Sequence, residues 1–150
     1  MSIKKIQKSY TDNGFGFPVQ IINAPMMKIN GEWTLNLNYE KYEKAVLFAL
    51  AMKPTCLTGN EVKFVRLHFE MDLKSFGKRF GGVAHSAVIK WEKFAAMPTN
   101  MGWATEKDIR LAIINKVNPK FFRAAYIKLE DTALRKSQKI KIDTTEQQVA

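Results

Sequence analysis

The stretch from Leu57 to Glu92, LTGNEVKFVRLHFEMDLKSFGKRFGGVAHSAVIKWE, constrains this chain more than any other. Its apolar residues recur at helical spacing in three short runs, and the runs have start or stop signals of their own. Thr58-Gly59-Asn60-Glu61 is a capping box, in which the Thr hydroxyl and the Glu carboxylate satisfy each other's backbone donors at a helix start. The helix it opens carries Val62, Val65 and Phe69 on one stripe. Asp72 is set to cap a second helix whose apolar face is Leu73, Phe76 and Phe80. Gly81-Gly82 then releases the chain through conformations that other residues resist. A third helix follows over Val83–Lys93, with Val83, Val88 and Trp91 inward.

Two helices joined by a tight glycine turn form the unit that lays its second helix in the DNA major groove. With the apolar positions inward, His85, Ser86, Ala87, Lys90 and Lys93 face out. A recognition helix reads bases with its N-terminal residues. Ser86 can donate or accept, Ala87 can touch a thymine methyl, and Lys90, one turn beyond Ser86, can reach guanine O6 and N7. His85 is a further base-contacting candidate. Lys74, Lys78 and Arg79 on the preceding helix, together with Lys93, suit phosphates, which position a protein without reading sequence. The plainer alternative for each lysine is a solvated helix face.

Asp72–Glu92 resembles the Xre-type helix-turn-helix family, whose pattern Phe76, Phe80, Gly81, Val83, Ser86, Val88, Trp91 and Glu92 match. Gly77 stands where that family has a tight-packing alanine, and Gly82 is an insertion in the turn. The doubled glycine is also similar to the MqsA/YgiT-type antitoxins, as is Ile22-Asn23-Ala24-Pro25 followed by Asn30-Gly31. The resemblance implies a homodimeric transcriptional repressor that binds an inverted-repeat operator of double-stranded DNA. It further implies an antitoxin that autoregulates a toxin–antitoxin operon, with a cognate toxin as partner. By resemblance, the base-contacting pair falls on Ser86 and Lys90. The family's zinc-binding cysteine pairs are missing.

Charge points the same way. The 150 residues hold 24 Lys and Arg against 14 Asp and Glu, a net charge of +10, which favours a polyanionic partner. The excess is strong toward the C-terminus, where Lys120, Arg123, Lys128, Arg135, Lys136, Lys139 and Lys141 face only Glu130 and Asp131. The single cysteine, Cys56, excludes an internal disulfide and suits a small buried filler in a reducing cytoplasm. With His68 and His85 scattered, no metal site, catalytic cluster or phosphate-cradling glycine loop is legible. The expectation is a non-enzyme that needs no cofactor and has no membrane segment. His68 reads as a half-buried surface histidine, and Glu92 as an ion-pair partner of Arg66 or Arg110.

Outside the central stretch, residues 1–13 are polar and basic, and 13–18 turn. Val19–Ile22 and Met27–Ile29 read as strands, Asn30-Gly31 as a hairpin turn, and Trp33–Leu37 as a half-buried alternating strand. Asn38 can cap a helix over 39–52 with Tyr42, Val46, Leu47 and Leu50 inward, ended by Lys53-Pro54. Thr105-Glu106-Lys107-Asp108 reads as a helix start before Ile109, Leu111, Ala112 and Ile113. Asn118-Pro119 opens another helix, with Phe121, Phe122, Ala125, Tyr126 and Leu129 as its core side; the aromatic face of Phe121, Phe122 and Tyr126 and the apolar edge of the 19–37 strands are also candidate dimer surfaces. Lys139–Asp143 alternates as a short edge strand, and Thr144–Ala150 is expected to be disordered. The fold class is α+β: a mainly helical helix-turn-helix bundle with a small N-terminal β-hairpin unit. Residues 1–56 form the strand, hairpin and helix unit for dimer or partner contact, 57–117 the DNA-binding domain, and 118–150 a C-terminal helix and basic tail. The alternative function is a protein-interaction module that neutralises a partner through residues 14–56, with DNA binding secondary.

Overall fold

A computed structural model describes residues 3–130 and 140–147. The chain is α+β, with six α-helices of seven or more residues and a mixed four-stranded sheet among the described residues. Strand β1 (Lys4–Asp12) pairs antiparallel with β2 (Val19–Ile29), and β2 pairs antiparallel with β3 (Glu32–Leu35). Strand β4 (Ile140–Asp143) returns to β2 in parallel, setting Ile140 beside Val19 and Ile142 beside Ile21. So β2 is shared along its length, with β4 on Val19–Ile22 and β3 on Met26–Ile29.

The division falls at Asn23, whose backbone is left-handed at φ 56°. Asparagine tolerates that region better than most residues. Its side chain donates to Asp143 at 3.2 Å, and its carbonyl accepts from the Thr144 hydroxyl. Sequence spacing breaks the strand at Asn23-Ala24-Pro25; the structure corrects this to one kinked strand. Pro25 is tolerated because it lies just past β3, where its carbonyl accepts from Asn36 at 2.8 Å. The Asn30-Gly31 turn forms as expected, both residues having positive φ (50° and 83°). A second correction is β1 itself, in a segment read only as polar and basic.

Helix α1 (Tyr39–Met52) is capped by Asn38 and buries Tyr42, Val46, Leu47 and Leu50 as expected. The Tyr42 hydroxyl donates to Asp12 at 2.7 Å, and burial together with this bond holds the phenol protonated. Helix α2 (Gly59–His68) has the full capping box of Thr58 and Glu61. Helix α3 (Leu73–Arg79) is capped by Asp72, whose carboxyl is held below its ordinary pKa by the Ser75 amide. Helix α4 spans His85–Lys93, beginning two residues later than the spacing predicts. Helix α5 spans Trp103–Val117 with Gly102 at its N-cap, so Thr105 lies inside the helix. A 3₁₀ turn (Pro119–Phe121) leads into α6 (Phe122–Glu130), which buries Ala125 and Leu129. Phe122 and Tyr126 are exposed, against expectation, while Phe121 packs its ring 5.3 Å from Phe48. Thr144–Gln147, expected to be disordered, form the short helix α7. The basic residues Arg135, Lys136 and Lys139 lie outside the described residues.

One cluster of buried apolar side chains runs from Phe17 to Ile142 through residues of 1–56, 57–117 and 118–150. Helix α1 packs on α5 and against β4, and α3 and α2 both pack on α4. Among the described residues no helix is long and apolar enough to cross a membrane.

Charged groups hold the connection between α1 and α2. Arg110, fully buried on α5, donates to Glu106 through Nε (3.1 Å) and Nη2 (2.8 Å). It also donates to the carbonyls of Ala51, Lys53 and Thr55. Glu106 accepts from the Leu57 amide at 3.1 Å. Beside it, Lys53 Nζ meets Glu61 at 2.7 Å, and the same Glu61 oxygen accepts from the Thr58 amide. Cys56 is half-buried here, its thiol pKa raised mainly by burial and then by Glu106. His68 is half-buried against Glu43 at 2.7 Å.

Stripping one partner from a buried ion pair costs about 3–5 kcal/mol, because the other charge is left without compensation. Arg110→Ala should therefore lower unfolding stability by about that amount, whereas an exposed pair contributes only about 0–1 kcal/mol. Arg79→Ala, which breaks the exposed Arg79–Asp108 pair, should stay in the lower range. Urea denaturation of both variants checks the contrast, and similar midpoints for the two would refute it.

Candidate nucleic-acid interface

Helices α3 and α4 meet across the turn Phe80–Ala84, in which Gly81 and Gly82 adopt positive φ (86° and 60°). Phe76 and Phe80 are buried under the turn, with their rings 4.8 Å apart. The Val83 amide donates to the Gly77 carbonyl at 2.9 Å, which closes the turn onto α3. Val83 thus stands in the turn rather than in the helix, and remains half-buried. A side-chain methyl on Gly77 would come within 2.6 Å of the Val83 carbonyl and 3.1 Å of Val88. Only glycine permits α3 and α4 to approach this closely.

The far end of α4 is held equally tightly. A methyl on Gly59 would lie 2.6–2.7 Å from the carbonyls of Trp91 and Glu92 and the Ala95 amide. The Asn60 amide donates to the Ala95 carbonyl at 2.9 Å, and Gly59 to Met97 at 3.3 Å. The positive N-terminal end of α2 therefore abuts carbonyls just beyond α4, a favourable dipole arrangement. Arg66 on α2 forks onto Glu92, with Nε at 2.7 Å and Nη2 at 3.0 Å, and its Nη1 reaches the Met71 carbonyl. Of the two partners that the sequence allows for Glu92, Arg66 is the one found. Val88 and Trp91 complete the buried face of α4.

The opposite face is open. Ser86, Lys90 and Lys93, spaced four and three apart, share an exposed stripe, and His85 is exposed beside them. Ala87, expected to face out, is half-buried at its flank. No side chain caps the α4 N-terminus. On α3, Lys74 and Lys78 are exposed at i and i+4. Neither they nor Lys90 and Lys93 form an ion pair among the described residues. Arg79 differs: it pairs with Asp108 at 2.8 Å and lies over the Phe80 ring. Both members are about half exposed, so the pair is weak.

Sequence reasoning missed the Asp108 partner and the Gly59 contact. Both join positions far apart in the chain, and no local spacing signals them. Among the described residues there is no His, Cys, Asp and Glu group able to hold a metal ion. No protein-family model, curated protein or solved structure matches the chain. What this surface does must follow from its own residues.

Gly77 separates two effects of opposite sign. Alanine in a helix interior is favoured over glycine by about 1 kcal/mol. Overpacking a tight contact costs about 1–3 kcal/mol, and here the obstacle is a backbone carbonyl, which cannot rotate aside. Gly77→Ala should therefore be destabilising. Thermal unfolding checks this: a raised Tm would mean that α3 and α4 have room to spare.

Proposed function

We propose that this protein binds double-stranded DNA sequence-specifically, with α3, the glycine turn and α4 acting as a helix-turn-helix. The observation that carries this is the exposed row Ser86, Lys90 and Lys93 on a helix clamped at its back by Gly77, Gly59 and the Arg66–Glu92 fork. A rigid helix with a polar outer face can enter a major groove and keep its register there. Ser86 and Lys90 are assigned to base edges, Lys90 to guanine, with His85 and Ala87 beside them. Lys74, Lys78, Lys93 and Arg79 are assigned to phosphates, Arg79 after exchanging Asp108 for the backbone. The net charge of +10 supports fast, salt-sensitive association.

One recognition helix reads only a few base pairs, too few to select an operator. The reading therefore extends to a homodimer on an inverted repeat, with half-sites about 34 Å apart or a multiple of that. Transcriptional repression by occlusion follows from such binding. The more specific role, an antitoxin that regulates its own operon in the cytoplasm beside a toxin partner, is supported only by the resemblance of Asp72–Glu92 and the doubled glycine.

Selection of bound sequences from a random duplex pool, followed by footprinting, tests the proposal. An enriched inverted repeat is expected; no enrichment over the pool would overturn it. Against the enriched site, Ser86→Ala and Lys90→Ala should each lose about 1–3 kcal/mol of discrimination while leaving binding to random duplex nearly unchanged. Lys74→Ala and Lys78→Ala should weaken binding to every duplex and flatten the logarithmic salt dependence by about one unit each. Equal losses on all sequences for Ser86→Ala and Lys90→Ala would remove these residues from base reading. An unchanged salt slope would take the α3 lysines off the phosphate backbone.

A further inference from the structure

Strand β1 is an edge strand nine residues long, and among the described residues it pairs only with β2. The Lys28 amide donates to the Ile3 carbonyl at 2.9 Å, which turns the backbone of Ile3 toward β2. By antiparallel alternation, Lys4 and Ile6 direct their amides and carbonyls away from β2. Lys8 is skipped in the β1–β2 register altogether. An open row of hydrogen-bonding groups therefore runs along this edge. Lys4, Ile6 and Lys8 also put their side chains on one face, since strand side chains alternate. Ile6 is 68% exposed. Neither Lys4 nor Lys8 forms an ion pair among the described residues, and the neighbouring Lys5 and Lys28 meet only the Trp33 ring.

We infer that this edge accepts an extended peptide strand carrying an acidic residue on either side of an apolar one. The pattern lysine, isoleucine, lysine at every second position calls for the complement glutamate or aspartate, apolar, glutamate or aspartate. It reads the same in both directions, so the incoming strand can lie parallel or antiparallel. Backbone hydrogen bonds supply affinity and the alternating side chains supply selection, as in other strand additions. A second copy of β1 is a poor occupant, because alignment on Ile6 sets lysine against lysine across the edge. Lysines of this kind deter pairing with like strands; a strand of opposite charge turns the same residues into contacts. The site is separate from α4 and independent of the DNA-binding reading.

The test uses the full chain and two blocked, otherwise identical synthetic peptides of alternating pattern, one with glutamates flanking a central valine and one with lysines there. Fluorescence anisotropy gives affinity, and amide hydrogen exchange by NMR locates the contact. The glutamate peptide should bind at least about tenfold more tightly than the lysine peptide, and should protect the amides of Lys4 and Ile6. The double variant Lys4→Glu/Lys8→Glu, with the fold checked by its amide spectrum, should reverse the preference. Equal binding of both peptides, no binding of either, or protection confined to other residues would overturn the inference. So would a single-stranded oligonucleotide that displaces the glutamate peptide and protects the same amides, since the edge would then serve a nucleic acid.

Discussion

Every donor of the Arg110 guanidinium is used, and the protein is arranged around that fact. Its five N–H groups reach Glu106 twice and the carbonyls of Ala51, Lys53 and Thr55 once each. Desolvating a guanidinium is expensive, and the expense is offset only where each donor is matched. Matching them fixes the path of residues 51–57. That path carries α1 into α2 and sets the height at which Thr58 and Glu61 build their capping box. Glu61 extends the same logic by serving the cap and the buried Lys53 at once. Because α2 then meets the end of α4 through Gly59, the orientation of the exposed helix traces back to a charge buried on α5.

The molecule handles its charges in two ways. Inside, each ionised group has a partner at hydrogen-bonding distance: Arg110 with Glu106, Lys53 with Glu61, and the nearly buried Arg66 with Glu92. Outside, Lys74 and Lys78 on α3, Lys90 and Lys93 on α4, and Lys4 and Lys8 on β1 form no ion pair among the described residues. Exposed lysines that lack partners cost little in water, yet they remain free to meet phosphates or carboxylates when these arrive. The interior pairs hold geometry, and the surface lysines add little to stability.

Much of the chemistry that was legible in the sequence was local. The caps at Asn38, Thr58 and Asp72, the Asn30-Gly31 turn, the inward face of α1 and the inward Val88 and Trp91 of α4 all depend on residues within a few positions of each other. The elements that escaped depend on distant neighbours. Strand β1 has no buried residue, so the hydrophobic alternation that marks a strand is absent from it. Thr105-Glu106 imitates a capping box, but Glu106 is drawn inward to Arg110 and the Leu57 amide, and the helix starts earlier. The spacing of Phe122 and Tyr126 suits a core face, whereas the surface that α6 meets on α5 takes Ala125 and Leu129 instead. For the exposed helix, Ala87 is half-buried although named as outward, whereas His85, Ser86, Lys90 and Lys93 could be named so from periodicity. That Asp108 holds Arg79, and that Gly59 seats the helix, could not.

The split edge of β2 has a kinetic side. Its first half is completed by β4, and the bond from Asn23 to Asp143 spans 120 positions. Closing so long a loop is an entropic penalty that has to be met before the contact gives anything back. The hairpin and the helices between Tyr39 and Glu130 involve shorter loops and can assemble first. Until β4 arrives, Val19 and Ile21 lie along an unpaired strand edge. During synthesis on the ribosome, β4 is made after every other described strand, so that side of β2 can be completed only late.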